Sequence, residues 1–210
     1  MEPLLIFPYN GNGIEALDCL SDAFRCMAFI DDSSDRHGTD ALGNLVMGRE
    51  ALTHWPDAQI LAVPGSPASY LDRADAIRSL GVPPSRFAQV IHPTARISPL
   101  ATVGRNVLIM AGVVVTSNAT IEDHTCILPN TVVHHDVVIG EFSLIGSHVT
   151  LAGGVHIGRN CYIGSGSTLK NGIQVGERAL IGLGSTVIRD VDADRRVAGN
   201  PARELRLPTR

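Results

Sequence analysis

Val90–Val191 reads VIHPTA RISPLA TVGRNV LIMAGV VVTSNA TIEDHT CILPNT VVHHDV VIGEFS LIGSHV TLAGGV HIGRNC YIGSGS TLKNGI QVGERA LIGLGS TVIRDV, seventeen hexads without a gap or an insertion. The second place is always Ile, Val or Leu, from Ile91 through Ile109, Ile127, Ile145 and Ile163 to Val187. The sixth place is almost always small or β-branched. A strand period of two does not single out one aliphatic in six, and a helical period of 3.6 drifts out of register with it. The pattern fits a parallel β-helix built from hexapeptides. Three hexads close one triangular coil, so residue i stacks on i+18, with coils about 4.8 Å apart. The aliphatics then form a dry inner column. Gly140, Gly146, Gly158, Gly164, Gly176 and Gly182, with Asn106 and Asn160, are expected at corners that need positive φ.

Residues 1–89 follow a different pattern. Leu4–Pro8 reads as a buried strand, followed by the turn Tyr9-Asn10-Gly11-Asn12-Gly13 and an amphipathic stretch from Ile14 to Ala23. A second strand, Cys26–Ile30, ends at Asp31-Asp32. A third, Gln59–Val63, is closed by Pro64-Gly65-Ser66-Pro67, and Ala68–Leu80 reads as a helix stopped by Gly81. Strand, glycine turn, helix and strand, with acids at the end of the second strand, make a half-Rossmann βαβ arrangement. The backbone N–H groups of Gly11, Asn12 and Gly13 are candidates for a phosphate, with Asn10 in the same turn. Asp31 and Asp32 are candidates for a ribose or base. Ser66 sits where it would help cradle the same ligand. A tight βα turn needs glycine whether or not a ligand binds, and two acids at a strand end also suit a solvated turn.

The chain thus divides into an α/β domain (1–89), an all-β solenoid (90–191) and a C-terminal tail (192–210). Hydrophobic residues make up 44%, enough for a real core, while aromatics are only 4%, as a column of aliphatics would leave them. The net charge is −4 and the one lysine is Lys170, so no basic stripe suited to nucleic acid exists. The four cysteines lack metal-ligand spacing. No histidines lie five or eighteen residues apart, which argues against a zinc site shared between coils. The apolar run near the N-terminus is too short to span a membrane. A cytoplasmic protein that binds neither membrane nor nucleic acid is expected.

The solenoid carries one polar cluster that an inert scaffold does not need: Asn130, His134-His135-Asp136, Glu141 and His148. The paired histidines fall on the third and fourth hexad places, at a turn, so at least one imidazole leaves the column. A neutral imidazole is a natural general base, and a neighbouring carboxylate orients it and stabilises the cation that forms.

Strand–NGNG–helix, FIDD (29–32), AVPGSP (62–67), RFAQVIHPTARIS (86–98), the hexads with HHDVVIGEFS (134–143) and the closing VAGNPAR (197–203) together resemble the bacterial sugar acetyltransferases. These join a small Rossmann-like domain to a left-handed β-helix, and they include nucleotide-4-amino-sugar N-acetyltransferases and a sialic-acid O-acetyltransferase type. The resemblance spans nearly the whole chain. It implies a homotrimer with active sites between subunits, acetyl-CoA as co-substrate without a metal, and direct transfer to a nucleotide-linked amino sugar for bacterial surface glycan. The family's catalytic histidine falls on His135 and its supporting acid on Asp136. Its acetyl-CoA positions fall on Gly153, Ser165 and Gly182, Leu183 and Gly184. Asp31 and Asp32 match its nucleotide-binding acids. Four positions depart from its pattern: His134 replaces an acid, Leu128 an asparagine with Asn130 two residues later, Leu144 a histidine, and Asn12 the loop histidine. Two other readings remain open on the sequence: acetylation of a hydroxyl on a sialic-type sugar, and a non-catalytic module that binds nucleotide sugar or CoA.

Overall fold

The computed structural model describes residues 1–205. Five strands form the N-terminal sheet: β1 (Glu2–Phe7), β2 (Phe24–Ile30), β3 (Gly38–Thr39), β4 (Leu45–Met47) and β5 (Gln59–Ala62). Their order is β3-β4-β2-β1-β5, all parallel except β3 at the edge. Both faces of β1 are covered. Leu4 and Ile6 point toward the solenoid, Leu5 and Phe7 toward the helices, and so the strand is apolar without alternation. The helices are shorter than the sequence suggests. The stretch expected from Ile14 to Ala23 is α1 (Gly11–Glu15) followed by a 3-10 turn, Ala16–Cys19. The helix expected over Ala68–Leu80 is a 3-10 turn at Tyr70–Asp72 and then α3 (Arg73–Arg78). Strands β3 and β4 and the helix α2 (Ala51–His54) lie between the second and third expected strands. They are too short to leave a periodic signal.

Each hexad then supplies one two-residue strand at its first and second places, seventeen among the described residues, from β6 (Val90–Ile91) to β22 (Thr186–Val187). Every strand pairs in parallel with those eighteen residues away, as Ile109 with Ile127 and Ile127 with Ile145, which makes three sheets wound into a left-handed β-helix. From Ile109 to Val187 the second-place side chains form one buried column, with Ile91, Ile97 and Val103 half-buried at its start. Burying each is worth roughly 1.5–3 kcal/mol. Beyond β22, the hairpin of β23 (Arg196–Gly199) and β24 (Ala202–Glu204) extends one of the sheets. Of the expected tail, residues 206–210 lie outside the described residues.

The corner glycines need correction. Positive φ belongs to the fifth hexad place, held by Asn106, Asn118, His124, Asn130, Asp136, Phe142, His148, Asn160 and Arg178 and by Gly112, Gly154, Gly166, Gly172 and Gly184. Asn106 and Asn160 are therefore as expected. Gly140, Gly146, Gly158, Gly164, Gly176 and Gly182 stand at the third place without positive φ. A Cβ on Gly140 would lie 2.7 Å from Arg159 N, and one on Gly164 would lie 2.6 Å from Leu183 N. These glycines are there because the next coil leaves no room for a side chain.

One corner column, Asn106–His124–Phe142–Asn160–Arg178, joins the two domains. Asn106 Oδ1 accepts from Ala62 N–H at 2.7 Å, while its Nδ2 donates to Ala62 O at 2.9 Å and to His124 Nδ1 at 3.0 Å. His124 stacks on Phe142 with centroids 4.6 Å apart. Arg73 donates to the His124 carbonyl, Asn160 to Leu71 O, and Tyr70 Oη to Arg178 O. The solenoid face beside this corner carries Val90, Leu108, Cys126, Leu144 and Tyr162 at the first place, all buried under the α/β sheet. The other two faces carry Thr, Val, Arg, His or Gln there.

Candidate active site

A second corner carries Ser117-Asn118, His135-Asp136, Gly153-Gly154 and Asn171-Gly172 on successive coils. Asp136 occupies the fifth place at φ 59°, which a short polar side chain tolerates better than a bulky one. This sharp turn sets its carboxylate beside the preceding residue. His135 Nδ1 lies 2.7 Å from Asp136 Oδ2, and Asn118 Nδ2, one coil away, donates to Oδ1 at 3.1 Å. These hydrogen bonds, that of His135 first and that of Asn118 second, hold the Asp136 carboxyl below the ordinary carboxylate range. With Nδ1 committed to the carboxylate, Nε2 is the nitrogen left for chemistry. It points over Gly153: a Cβ there would lie 2.5 Å from Nε2. The Gly153 N–H makes no hydrogen bond among the described residues, while its carbonyl accepts from Gly172 N–H at 3.0 Å. His134 is exposed at the same turn, without a side-chain hydrogen bond among the described residues. Asn118 is absent from the sequence-level candidates, yet its i+18 relation to Asp136 places it there.

The third corner holds Ser165, Gly182, Leu183 and Gly184. Ser165 Oγ accepts from Ser147 N–H at 3.0 Å, and Leu183 is 69% exposed. Gly182 is glycine for packing, since a Cβ would sit 2.7 Å from Ala198 Cβ, whereas Gly184 at φ 62° faces open space. The hexads of Gly153 and Ser165 belong to different sheets, so one chain does not bring these residues into one groove. Asn130 and His148 stack on this corner too, one triangle edge away from His135.

The turn candidates meet at the carboxyl ends of β1 and β5. A crevice of about 320 Å³ there is lined by Asn10, Gly65, Ser66, Ser69, Asp72 and Arg73, among others. Asn10 caps α1, its Oδ1 accepting from Gly13 N–H at 2.8 Å. Gly13 is glycine because a Cβ would lie 2.6 Å from Pro8 O. Gly11 and Asn12 complete the first turn of α1. Ser66 Oγ is 3.0 Å from Ser69 Oγ. Asp31 and Asp32 do not line this crevice. Buried Asp31 accepts from Ser33 N–H at 2.9 Å and Arg36 at 3.2 Å, and exposed Asp32 is clasped by Arg49 at 2.7 and 2.8 Å. Arg36 also donates to Tyr9 O, which ties the second strand end to the first.

The four cysteines are unpaired, and the described residues contain no cluster of three metal-ligating side chains. Among the described residues no helix is long and apolar enough to cross a membrane.

Residues 100–135, 118–153, 136–171 and 154–189 match the bacterial transferase hexapeptide (six repeats) family. No curated protein sequence matches the chain. Among solved structures, PerB from Caulobacter crescentus, in complex with CoA and GDP-perosamine, is 26% identical with a TM-score of 0.82, over 98% of this chain and 97% of that one. The acetyltransferase domain of PglB from Neisseria gonorrhoeae, in complex with acetyl coenzyme A, is 25% identical with a TM-score of 0.84, over 97% and 99%. WeeI from Acinetobacter baumannii, at 24% identity and a TM-score of 0.81 over 98% and 100%, shares the fold. The repeats, the domain order and these likenesses over the full length converge: the chain carries bacterial transferase hexapeptide repeats and is similar, from end to end, to sugar acetyltransferases that set a Rossmann-like domain before a left-handed β-helix.

Proposed function

We propose that this protein is an acetyl-CoA-dependent N-acetyltransferase that acylates the C4 amine of a nucleotide-linked 4-amino-6-deoxysugar in bacterial surface glycan synthesis. The observation that carries the reading is the imidazole of His135, oriented by Asp136 and aimed over Gly153. His135 Nε2 removes a proton from the amine as its nitrogen attacks the thioester carbonyl. The Gly153 N–H donates to the oxyanion of the tetrahedral intermediate. Collapse forms the amide, breaks the C–S bond, and returns the proton from the imidazolium to the CoA thiolate. Asp136 stays ionised throughout and stabilises the imidazolium. General-base assistance of this kind is worth about 10²–10⁴-fold. Positioning of two bound substrates supplies the rest.

The bare backbone at Gly153, Gly154 and Gly172 leaves room for a thin pantetheine arm beside His135. Ser165, Gly182, Leu183 and Gly184 stand on another corner, so a homotrimer, in which that corner of one subunit faces the His135 corner of the next, makes one groove from both. The crevice at Asn10 and Ser66 takes the nucleotide sugar. Asp31 and Asp32 would have to exchange their arginine partners to take part. The complexes of PerB with CoA and GDP-perosamine and of PglB with acetyl coenzyme A support both substrate classes. Free-CoA release with UDP-, dTDP- and GDP-linked 4-amino-6-deoxysugars, and with a sialic acid, tests the reading. Turnover on one amino sugar is expected. Release with the sialic acid alone would replace it by O-acetylation.

A further inference from the structure

Arg73 is the largest fully buried side chain, 1% exposed, at the first residue of α3. Its Nη1 donates to Pro64 O and its Nη2 to His124 O at 2.8 Å, both neutral carbonyls. Its Nε has no partner. No carboxylate pairs with it among the described residues. The groups nearest in charge are neutral as well: burial pushes the Cys126 thiol up to about 11 and the His124 imidazole down to about 4. Asp72 stands exposed on the same crevice, where water screens it. A permanent cation buried among carbonyl dipoles is short of a counter-charge.

This cation lies in the wall of the crevice between β1 and β5. The chain leaves β1 toward β2 on one side, and β5 pairs on the other, so the crevice is the topological switch point of the sheet, where open α/β sheets bind ligands. Gly65 thins the wall there. It has φ 118°, and a Cβ on it would stand 3.6 Å from Arg73 Cδ and 3.8 Å from Nη1. An anion in the crevice would therefore feel the guanidinium through little more than backbone.

Resting on the nucleotide-sugar reading above, we propose that Arg73 is the counter-charge for the substrate's diphosphate, with Ser66 and Asn10 as its polar rim. The full chain would be titrated with inorganic pyrophosphate, then with GDP, UDP and dTDP and the corresponding nucleosides, by calorimetry and thermal shift. Pyrophosphate alone should raise Tm, and each diphosphate should bind at least about tenfold more tightly than its nucleoside, a difference of about 1.4 kcal/mol. Arg73→Met should abolish the pyrophosphate response and raise the KM for the nucleotide sugar more than it lowers kcat. Arg73→Lys, which keeps the charge, should recover most of the affinity. A wild-type protein that binds none of these ligands would sink the nucleotide-sugar reading itself. Diphosphate binding undiminished in Arg73→Met would overturn only the role of Arg73. If Arg73→Met does not fold, equal affinity of the wild-type chain for nucleosides and their diphosphates would overturn it as well.

Discussion

His135 and Gly153 occupy the same corner on adjacent coils, and the imidazole fills the space that a side chain on Gly153 would take, with Nε2 only 2.5 Å from the missing Cβ. Gly153→Ala should therefore fold, because its φ is not in the left-handed region, but should drive the ring off its line. A displacement of about 1 Å at a reacting group can cost about 10²-fold, and kcat should fall by that order while Tm changes little. A fully active Gly153→Ala would mean that the ring does not work from this position.

The proton transfer itself is tested by His135→Ala, which should lower kcat by about 10²–10⁴-fold and leave acetyl-CoA binding nearly intact. His134→Ala, at the exposed neighbour, should stay close to the parent protein. The reverse pattern would transfer the role to His134.

Asn118 touches the base only through Asp136, to which it donates at 3.1 Å. Asn118→Ala removes one of the two hydrogen bonds that keep the Asp136 carboxyl below its usual range, so the group should titrate closer to the ordinary carboxylate value. The loss in kcat should be about fivefold, in keeping with one lost hydrogen bond. A pH–rate profile checks it: the acid side should shift toward higher pH, whereas general destabilisation would lower the whole curve.

Burial holds the His124 imidazole down at about 4 in the folded chain, against about 6.5 when unfolded. The unfolded chain binds the proton first as pH falls. The stability tied to this group is complete above about pH 6.5 and drains as pH drops through about 4. Chemical denaturation across that window should show the slope. His124→Asn, which suits the left-handed corner, should flatten it.

Asn106 binds both backbone groups of Ala62 while fully buried. Asn106→Ala leaves both unpaired, at about 1–3 kcal/mol each, and places Ala at positive φ. A loss of about 3 kcal/mol or more is expected in urea melts. Asn106→Gly relieves the φ strain only and should recover the smaller part.

The solenoid was readable in advance because its cause is periodic. Strands that pair eighteen residues apart force an aliphatic into every second place, and no other fold asks for that. The face that meets the α/β domain was also written there, in the uniformly apolar first-place residues Val90, Leu108, Cys126, Leu144 and Tyr162 against a mixture of Thr, Val, Arg, His and Gln elsewhere. Reading every third hexad separately would have found it. The reason for the third-place glycines is not legible in the sequence, because a glycine kept for φ and a glycine kept for lack of space look alike in one dimension. Gly140 and Gly164 are of the second kind.

Chain order alone thus accounts for the two-domain plan, the coil register and the pairing of His135 with Asp136, since these depend on local spacing and on a repeat of fixed length. Folding in three dimensions is what seats Asn118 on Asp136, sets Nε2 against Gly153, engages Asp31 and Asp32 with arginines, and buries Arg73 without an acid beside it. Those relations depend on which surfaces meet and how much volume lies between them, and neither quantity is carried by residue spacing.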